Sequence, residues 1–519
     1  TFQIPSYVKH MVEENWLGSK SGQGFYKKIK GADGKSEILS LDLKSLEYKS
    51  QEKVKFDSIG KAREIDDLAE KTRVLFNHKD KGGDFYRTTF TDLFSYVSFR
   101  IPEISDELFR LDDGVKAGFG WQLGPFESWD ALGVSTVVGM MKEMGKEIAP
   151  WVGEMLAAGC ESFYKVEKGT KLYYDIPSKS YKGIPGTEKL VDNLRAEHTV
   201  WKNNDATIVD LGDGILNLEF HSKMNTIGAG TIAAINKAID LAEREYEGLV
   251  IYNTGGNFSA GANVGMIFMM AVEQEYDELN FAIKQFQNTM MRVRYSSIPV
   301  VVATHQMALG GGCELSMHAD KVIAHAETYM GLVEFGVGVI PGGGGSKEFA
   351  LRLSDELKEG DIRINAFRQR FLTIGQAQVA TSAEEAFELG YLRKGIDEVI
   401  VSRELQLTRA KKAVLELVDK GYTKPIERRD IKVLGQEALG IVYVGANSMK
   451  SGNYISEHDQ HISEKLGFVL AGGDLSEITE VSERYLLDLE RKTFVELCMK
   501  KKTLQRLQSM ITKGKVLRN

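Results

Sequence analysis

The run Ile298-Pro299-Val300-Val301-Val302-Ala303 is followed within a few residues by Ala308-Leu309-Gly310-Gly311-Gly312-Cys313-Glu314. The β-branched run reads as a buried strand, and Leu315-Ser316-Met317-His318-Ala319 reads as a helix. Three consecutive glycines between them let the backbone turn sharply and leave its N–H groups uncovered by side chains. The start of a helix adds unpaired donors and the positive end of the helix dipole. Such a corner binds a phosphate, or a carbonyl oxygen that gains negative charge during reaction. Glu314 falls in the first helical turn, where a carboxylate suits proton transfer at a carbon next to a carbonyl. The bland alternative is a tight turn with an acid that only favours the dipole. The corner alone leaves both readings open.

At 519 residues the chain exceeds a single core, and about two to four domains are expected. A net charge of −7 and a pI of about 5.9 argue against nucleic acid or an anionic membrane surface as the main partner. No apolar run approaches the roughly 20 residues that span a bilayer, so no membrane insertion is expected, and no secretory leader is visible. Cys160, Cys313 and Cys498 are widely spaced, which supports neither a disulfide framework nor a cysteine metal site. A cytoplasmic setting is expected. The sequence starts at Thr1 without methionine, and a fragment of something longer is expected.

The N-terminal stretch reads as helical. Glycines 18, 22 and 24 mark turns ahead of Phe25-Tyr26, which read as an anchor onto a core. Residues 31–56 read as a linker with some extended structure. Helical spacing follows over Ile59–Asn77, Thr89–Phe99 and Ile104–Ala117. In the loop from Gly118 to Asp130, glycine and proline set the turn, and Phe119, Trp121, Phe126 and Trp129 are expected to bury. The segment Gly18 to Tyr26 resembles the "GxxGxKxGxGFY" segment of the C-terminal helical domain of 3-hydroxyacyl-CoA dehydrogenases. The loop Gly118 to Asp130 is similar to that family's "GxGxxxGPFELxD" segment. The resemblance implies that residues 1–165 are the all-α C-terminal portion of such a dehydrogenase without its NAD-binding Rossmann domain. No GxGxxG fingerprint with a following acid occurs in the chain. Residues 166–203, with Lys168-Gly169, Pro177, Lys182-Gly183 and Pro185-Gly186 in their first part, read as an exposed connector.

Residues 204–400 alternate strand and helix, the pattern of an α/β domain. Ala206–Asp210 and Ile215–Phe220 form a hairpin across Gly212-Asp213-Gly214, and Gly228–Glu245 is a helix. Leu249–Asn253 and Asp320–Ala326 are further strands. Three separated stretches then agree. Asn257-Phe258-Ser259-Ala260-Gly261-Ala262-Asn263 is similar to "FSAGAD". The glycine corner through Glu314 is the second. Gly331 to Gly345 is similar to "FGxPExxxGxxPGxGG", and Thr381 to Leu392 adds a likeness to "SAEEAxxLGLV". Together these resemble the crotonase (enoyl-CoA hydratase/isomerase) superfamily and imply its α/β ββα-spiral core.

The resemblance implies that the backbone N–H groups of Ala262 and Gly311 form an oxyanion hole for a thioester carbonyl. It makes Glu314 and Glu334 the acid/base pair, at the spacing seen in hydratases, where members that only isomerise commonly lose the first. Chemistry agrees independently: two carboxylates sharing one water can take a proton from it and return one to Cα, and mutual repulsion raises one pKa towards neutral. No metal or other cofactor is implied for that step. Ser259, Ala260, Ala262 and Lys223 are implied to contact CoA, with a solvated lysine as the alternative for Lys223. Met266, Met269 and Met270 read as acyl-pocket lining or as helix core. Asn263, Leu332 and Val333 depart from the family pattern. Gly342–Gly345 lacks the GxxxxGK[ST] arrangement and reads as a second helix N-terminus.

Residues 401–519 read as a helical C-terminal region, with helices over Leu405–Lys420, Lys432–Lys450, His458–Val469, Ser482–Cys498 and Thr503–Lys513. The last two resemble crotonase C-terminal helices that cover an active site. The expected whole is a multidomain enoyl-CoA hydratase fused behind a dehydrogenase fragment, part of a bifunctional fatty-acid β-oxidation enzyme. It would take an acyl-CoA substrate, with NAD for the parent dehydrogenase and a homo-oligomer or a thiolase as protein partner. The rival readings are a double-bond isomerase and a non-catalytic acyl-CoA-binding module.

Overall fold

The computed structural model describes residues 4–30, 36–52, 54–65, 67–185, 190–358 and 360–519. Residues 1–3 of the opening segment, 31–35 and 53 of the predicted linker, 66 of the predicted helix Ile59–Asn77, and 186–189 of the predicted connector lie outside the described residues. The chain divides into two compact units, Thr1–Lys165 with Tyr173–Lys182, and Val166–Leu172 with Gly183–Asn519.

The first unit opens with the helix Ser6–Glu13 and an antiparallel sheet of Tyr26–Lys30, Ser36–Leu41 and Tyr48–Ser50. Helices from Asp57–Ala62 to Pro150–Ala157 follow. Its core is aromatic: Phe94 and Trp129 stack at 4.8 Å, and Phe126 meets Phe163 edge-on at 5.0 Å. Asp112 accepts from Phe126 N at 2.9 Å and Glu127 N at 3.0 Å, capping the helix Pro125–Leu132. A Cβ at Gly124 would lie 2.3 Å from the Asp112 side chain, so this loop needs its glycine. Two expectations are corrected. Phe119 is 79% exposed and Trp121 43%, because Gly120 at φ 67° ends the helix Leu108–Phe119 and turns the pair outward. Phe25 and Tyr26 are also exposed, so they do not anchor the loop.

The described residues of the predicted connector include regular elements. Tyr164–Glu167, Thr170–Asp175 and Ser180–Gly183 form a three-stranded sheet. Beyond it, the helix Val191–His198 leads into the strand Thr199–Lys202, which edges the main sheet of the second unit. Arg195 of that helix donates from Nε and Nη2 to the buried Glu219 at 2.7 and 2.6 Å, a bidentate pair that ties the segment to the core.

The second unit is built on a seven-stranded sheet. In spatial order its strands are Glu398–Ile400, Lys321–His325, Val300–Ala303, Gly248–Tyr252, Ile215–Phe220, Ala206–Asp210 and Thr199–Lys202. The first five pair in parallel and the last two turn antiparallel. The three central parallel strands are buried throughout, as strands covered on both faces must be. The hairpin turn Gly212-Asp213-Gly214 has positive φ at all three positions, which explains its composition. On one face the helix Ala229–Glu245 buries Ala234, Ile235, Ala238, Ile239 and Ala242. A second layer pairs Gln306–Leu309 in parallel with Thr328–Gly331. Single parallel bridges join Ser259 to Ala308 and Ile227 to Ala262, bringing the two glycine-rich loops side by side.

The C-terminal helices belong to this same unit. They include Gln436–Ser451, Glu457–Leu470, Glu483–Cys498 and Lys501–Lys513. The predicted helix from Lys432 begins instead as the strand Ile431–Val433, paired with Thr479–Val481. Among the described residues, no helix is long and apolar enough to cross a membrane.

Ile251 sits fully buried in the middle of the sheet. Ile251→Ala is expected to lower stability by about 2–5 kcal/mol in chemical denaturation, and Ile251→Val by only about 0.5–1.5 kcal/mol.

Candidate active site

The glycine corner closes a strand onto a helix. Gln306–Leu309 ends at Gly310, whose φ of 50° turns the chain, and the helix Gly311–His318 begins at once. The space there admits no side chain. A Cβ at Gly310 would lie 3.0 Å from Glu334 Oε1, and one at Gly311 would lie 2.9 Å from Phe286 Cζ and 3.2 Å from Ala262 N. Gly261, at φ 97°, brings the facing loop against Leu309 O and Gly311 N. The amides of Ala262 and Gly311 are thus held next to each other. Among the described residues, neither donates a hydrogen bond.

Beside them lies a cavity of about 710 Å³, walled by Gly261, Ala262, Gly310, Glu314, Val333 and Glu334 on one side. Leu507 and Met510 of the helix Lys501–Lys513, with Val516 and Arg518 of the tail that follows it, wall the other. Glu314 Oε1 accepts from Gly343 N and Gly345 N, both at 2.8 Å. Among the described residues, no donor reaches its second oxygen. Glu334 also lines the cavity, and its Oε2 is buried without a hydrogen-bond partner. Burial, then the charge of Glu334, raises the Glu314 carboxyl above the ordinary range, against the two amides that lower it. Burial likewise raises Glu334, with Glu490 adding to the effect.

Glu490 completes a trio of buried carboxyls. Its Oε1 accepts from Gly344 N at 2.6 Å, and its Oε2 from Ser346 N at 2.8 Å and Lys347 N at 3.2 Å. Burial and Glu314 raise its pKa too. The amides that open the helix Gly345–Glu356 are therefore shared between Glu314 and Glu490, and the glycine run 342–345 serves protein carboxylates. Behind them, Lys347 Nζ donates to Glu348 at 2.6 Å, Glu483 at 2.8 Å and His318 Nε2 at 3.0 Å. Those partners leave His318 Nδ1 to donate to the Glu314 carbonyl at 2.7 Å. Burial and Lys347 hold His318 well below its ordinary value, in the neutral form.

The remaining predicted site residues divide. Ala260 lines the cavity. Ser259 is fully buried; its hydroxyl donates to Asn225 O at 2.7 Å and accepts from Gly261 N at 3.1 Å. Its hydroxyl fixes the loop, and Ser259 is not among the residues that line the cavity. Lys223 is exposed on the turn Lys223–Asn225, off the cavity wall, although Ala260 N donates to the next carbonyl, Met224 O, at 3.1 Å. None of the three methionines is among the residues that line the cavity, and the helix-core alternative holds for Met270 alone. Met266 and Met269 are 46% and 59% exposed, Met270 packs partly buried against the core, and Val264 and Ile267 of the same helix face the cavity. Asn263 caps that helix, accepting from Gly265 N and Met266 N at 3.1 and 3.3 Å. Glu490 escaped the sequence reading, yet a signal existed. It is a carboxylate, seven residues after the buried Glu483, on a helix face that also carries Leu486, Leu487, Thr493, Phe494 and Leu497. Among the described residues, no group of three or more His, Cys, Asp or Glu is arranged to hold a metal.

Residues 210–358 match the family profile described as Enoyl-CoA hydratase/isomerase. A "Probable 3-hydroxyacyl-CoA dehydrogenase" of Bacillus subtilis (strain 168) is 40% identical over 521 residues, covering 100% of this chain and 64% of its own length. A "Putative fatty acid oxidation complex trifunctional enzyme" of Rickettsia felis is 24% identical over 519 residues, covering 96% of this chain and 61% of its own. The crystal structure of an enoyl-CoA hydratase from Bacillus halodurans aligns at a TM-score of 0.41 and 17% identity, covering 59% of this chain and 100% of that one. The chain spans less than two thirds of the length of both curated relatives, at 64% and 61%. Over residues 210–358 the chain carries an enoyl-CoA hydratase/isomerase domain of the crotonase superfamily.

Proposed function

We propose that the second unit hydrates 2-enoyl-CoA thioesters. The observation that carries this reading is the convergence of Glu314 and Glu334 on one cavity beside the unpaired amides of Ala262 and Gly311. The thioester oxygen sits between those two amides, which stabilise the enolate as negative charge develops there, each typically contributing about 2.7–4 kcal/mol. One carboxylate takes a proton from water as its oxygen adds to Cβ, and the protonated partner delivers a proton to Cα. The glycine-rich turn at Gly343–Gly345 holds Glu314 by one oxygen and leaves the other for this exchange. An isomerase needs a single acid/base group; the presence of both glutamates favours hydration. The names of the curated relatives support a place in fatty-acid oxidation.

The first unit is proposed to be the C-terminal helical portion of a 3-hydroxyacyl-CoA dehydrogenase. Oxidation with NAD is not assigned to it. Its sheet over residues 26–50 is antiparallel, unlike the parallel strand–helix–strand unit that cradles a dinucleotide pyrophosphate.

Glu334→Gln is expected to reduce the hydration rate of crotonyl-CoA by about 10²–10⁴-fold, followed as loss of the conjugated enoyl absorbance. Glu314→Gln is expected to do the same, whereas a pure isomerase would tolerate it and act on 3-enoyl-CoA. Because burial raises both carboxyls, the pair holds a shared proton at pH values where free carboxylic acids are ionised. Activity therefore falls as pH rises and that proton leaves, and falls at lower pH when the base is protonated too. The acid limb of kcat/KM is expected clearly above the ordinary glutamate value of about 4.3. A limb at that ordinary value would contradict the assignment.

A further inference from the structure

A second cavity, of about 890 Å³, adjoins the first. It is formed by the helices Arg363–Gly375, Gln436–Ser451 and Glu457–Leu470. Phe335, Phe367, Phe371, Val442, Ala446 and Met449 give it an apolar lining. The two cavities share Gln376 and Arg518. They also lie on opposite sides of the same two short segments. Glu334, Gly336 and Val337 face the first cavity, while Phe335 faces the second; Ala377 faces the first, while Gly375 faces the second. One residue thus separates a carboxylate of the candidate active site from the second chamber.

Of the charged residues on the wall of this chamber, Arg368 is exposed to solvent, and Asp459 and Arg518 pair with each other. Asp459 accepts from the buried Arg506 at 2.9 Å and from Arg518 at 3.2 Å. A neutral hydrocarbon chain entering there would strand no unpaired Asp459 charge. The first cavity has to take the thioester end and its pantetheine arm within about 710 Å³, leaving a long acyl chain in need of further apolar space. We propose that the second cavity receives the far end of a long-chain acyl-CoA whose thioester lies at Glu314 and Glu334, the chain crossing between Gln376 and Arg518. This proposal rests on the hydratase reading for the position of the thioester.

The test fills the chamber. Gly445, on the helix Gln436–Ser451, lines it, and a Cβ added there meets nothing within 4 Å. Replacing a helical glycine also favours the helix. Gly445→Phe and Met449→Trp are made in the whole chain. Binding of unreactive butyryl-CoA and palmitoyl-CoA is measured by calorimetry, beside hydration of crotonyl-CoA and 2-hexadecenoyl-CoA. Palmitoyl-CoA is expected to bind the wild type more tightly, and each variant to lose that affinity by at least about tenfold. Butyryl-CoA binding and crotonyl-CoA turnover are expected to stay within about twofold. Palmitoyl-CoA affinity unchanged in both variants would overturn the proposal. Chain-length-dependent binding that the variants abolish, without hydration of either substrate by the wild type, would refute the hydratase reading and keep the chamber.

Discussion

The first turn of the helix Gly345–Glu356 presents its amides to two buried carboxylates, Glu314 and Glu490. Charge-assisted hydrogen bonds of this kind are roughly twice as strong as neutral ones, and the helix dipole adds to them. They offset part of the cost of burying these carboxyls, although burial still outweighs them and raises both pKa values. The strand–glycine–helix corner supplies Glu314, the C-terminal helix Glu483–Cys498 supplies Glu490, and the glycine run supplies the donors. Removing any of the three leaves buried groups unanswered. The backing is equally closed: buried Lys347 is matched by Glu348 and Glu483, and Glu348 in turn by Arg294. Although burial works the other way, Arg294 and Lys347 hold Glu348 well below its ordinary value, so that network stays charged while the carboxyls facing the cavity do not fully ionise.

Much of the core was legible because its signals are local. Continuous β-branched runs in the strands, a glycine-aspartate-glycine hairpin turn and helical periodicity in Ala229–Glu245 all depend on neighbours in sequence. The pairing of Glu314 with Glu334 came from motif likeness, and the structure adds that both reach one cavity. Where a side chain points on a short helix was less legible. Val264–Val272 is apolar all round, with every turn offering an apolar residue. Composition therefore did not reveal that Val264 and Ile267 turn inward while Met266 and Met269 turn out. The partner of the Ser259 hydroxyl was illegible for a related reason: the neighbouring turn claims it through Asn225 O, 34 positions away.

The contributions of distant segments were illegible for a different reason. Glu490 meets Gly344 across 146 positions of chain, and nothing in either stretch names the other. Its only local mark is a carboxylate on a largely apolar helix face. The same applies to the helices Gln436–Ser451 and Glu457–Leu470, whose amphipathic pattern shows that they pack but not that they enclose a chamber beside the candidate active site. The segment from Val191 to Lys202, read as connector, became core through Arg195 and Glu219. A bidentate pair between residues on separate elements has no sequence signature.

The central claim is that carboxyls converging on one apolar cavity retain a proton at neutral pH and use it in the proposed reaction. An infrared spectrum of the whole chain, differenced against Glu314→Gln and Glu334→Gln, reads this directly. The account predicts a protonated-carboxyl band at neutral pH in the wild type that is lost or shifted in both variants. Identical spectra, with these two side chains fully ionised at neutral pH, would contradict it.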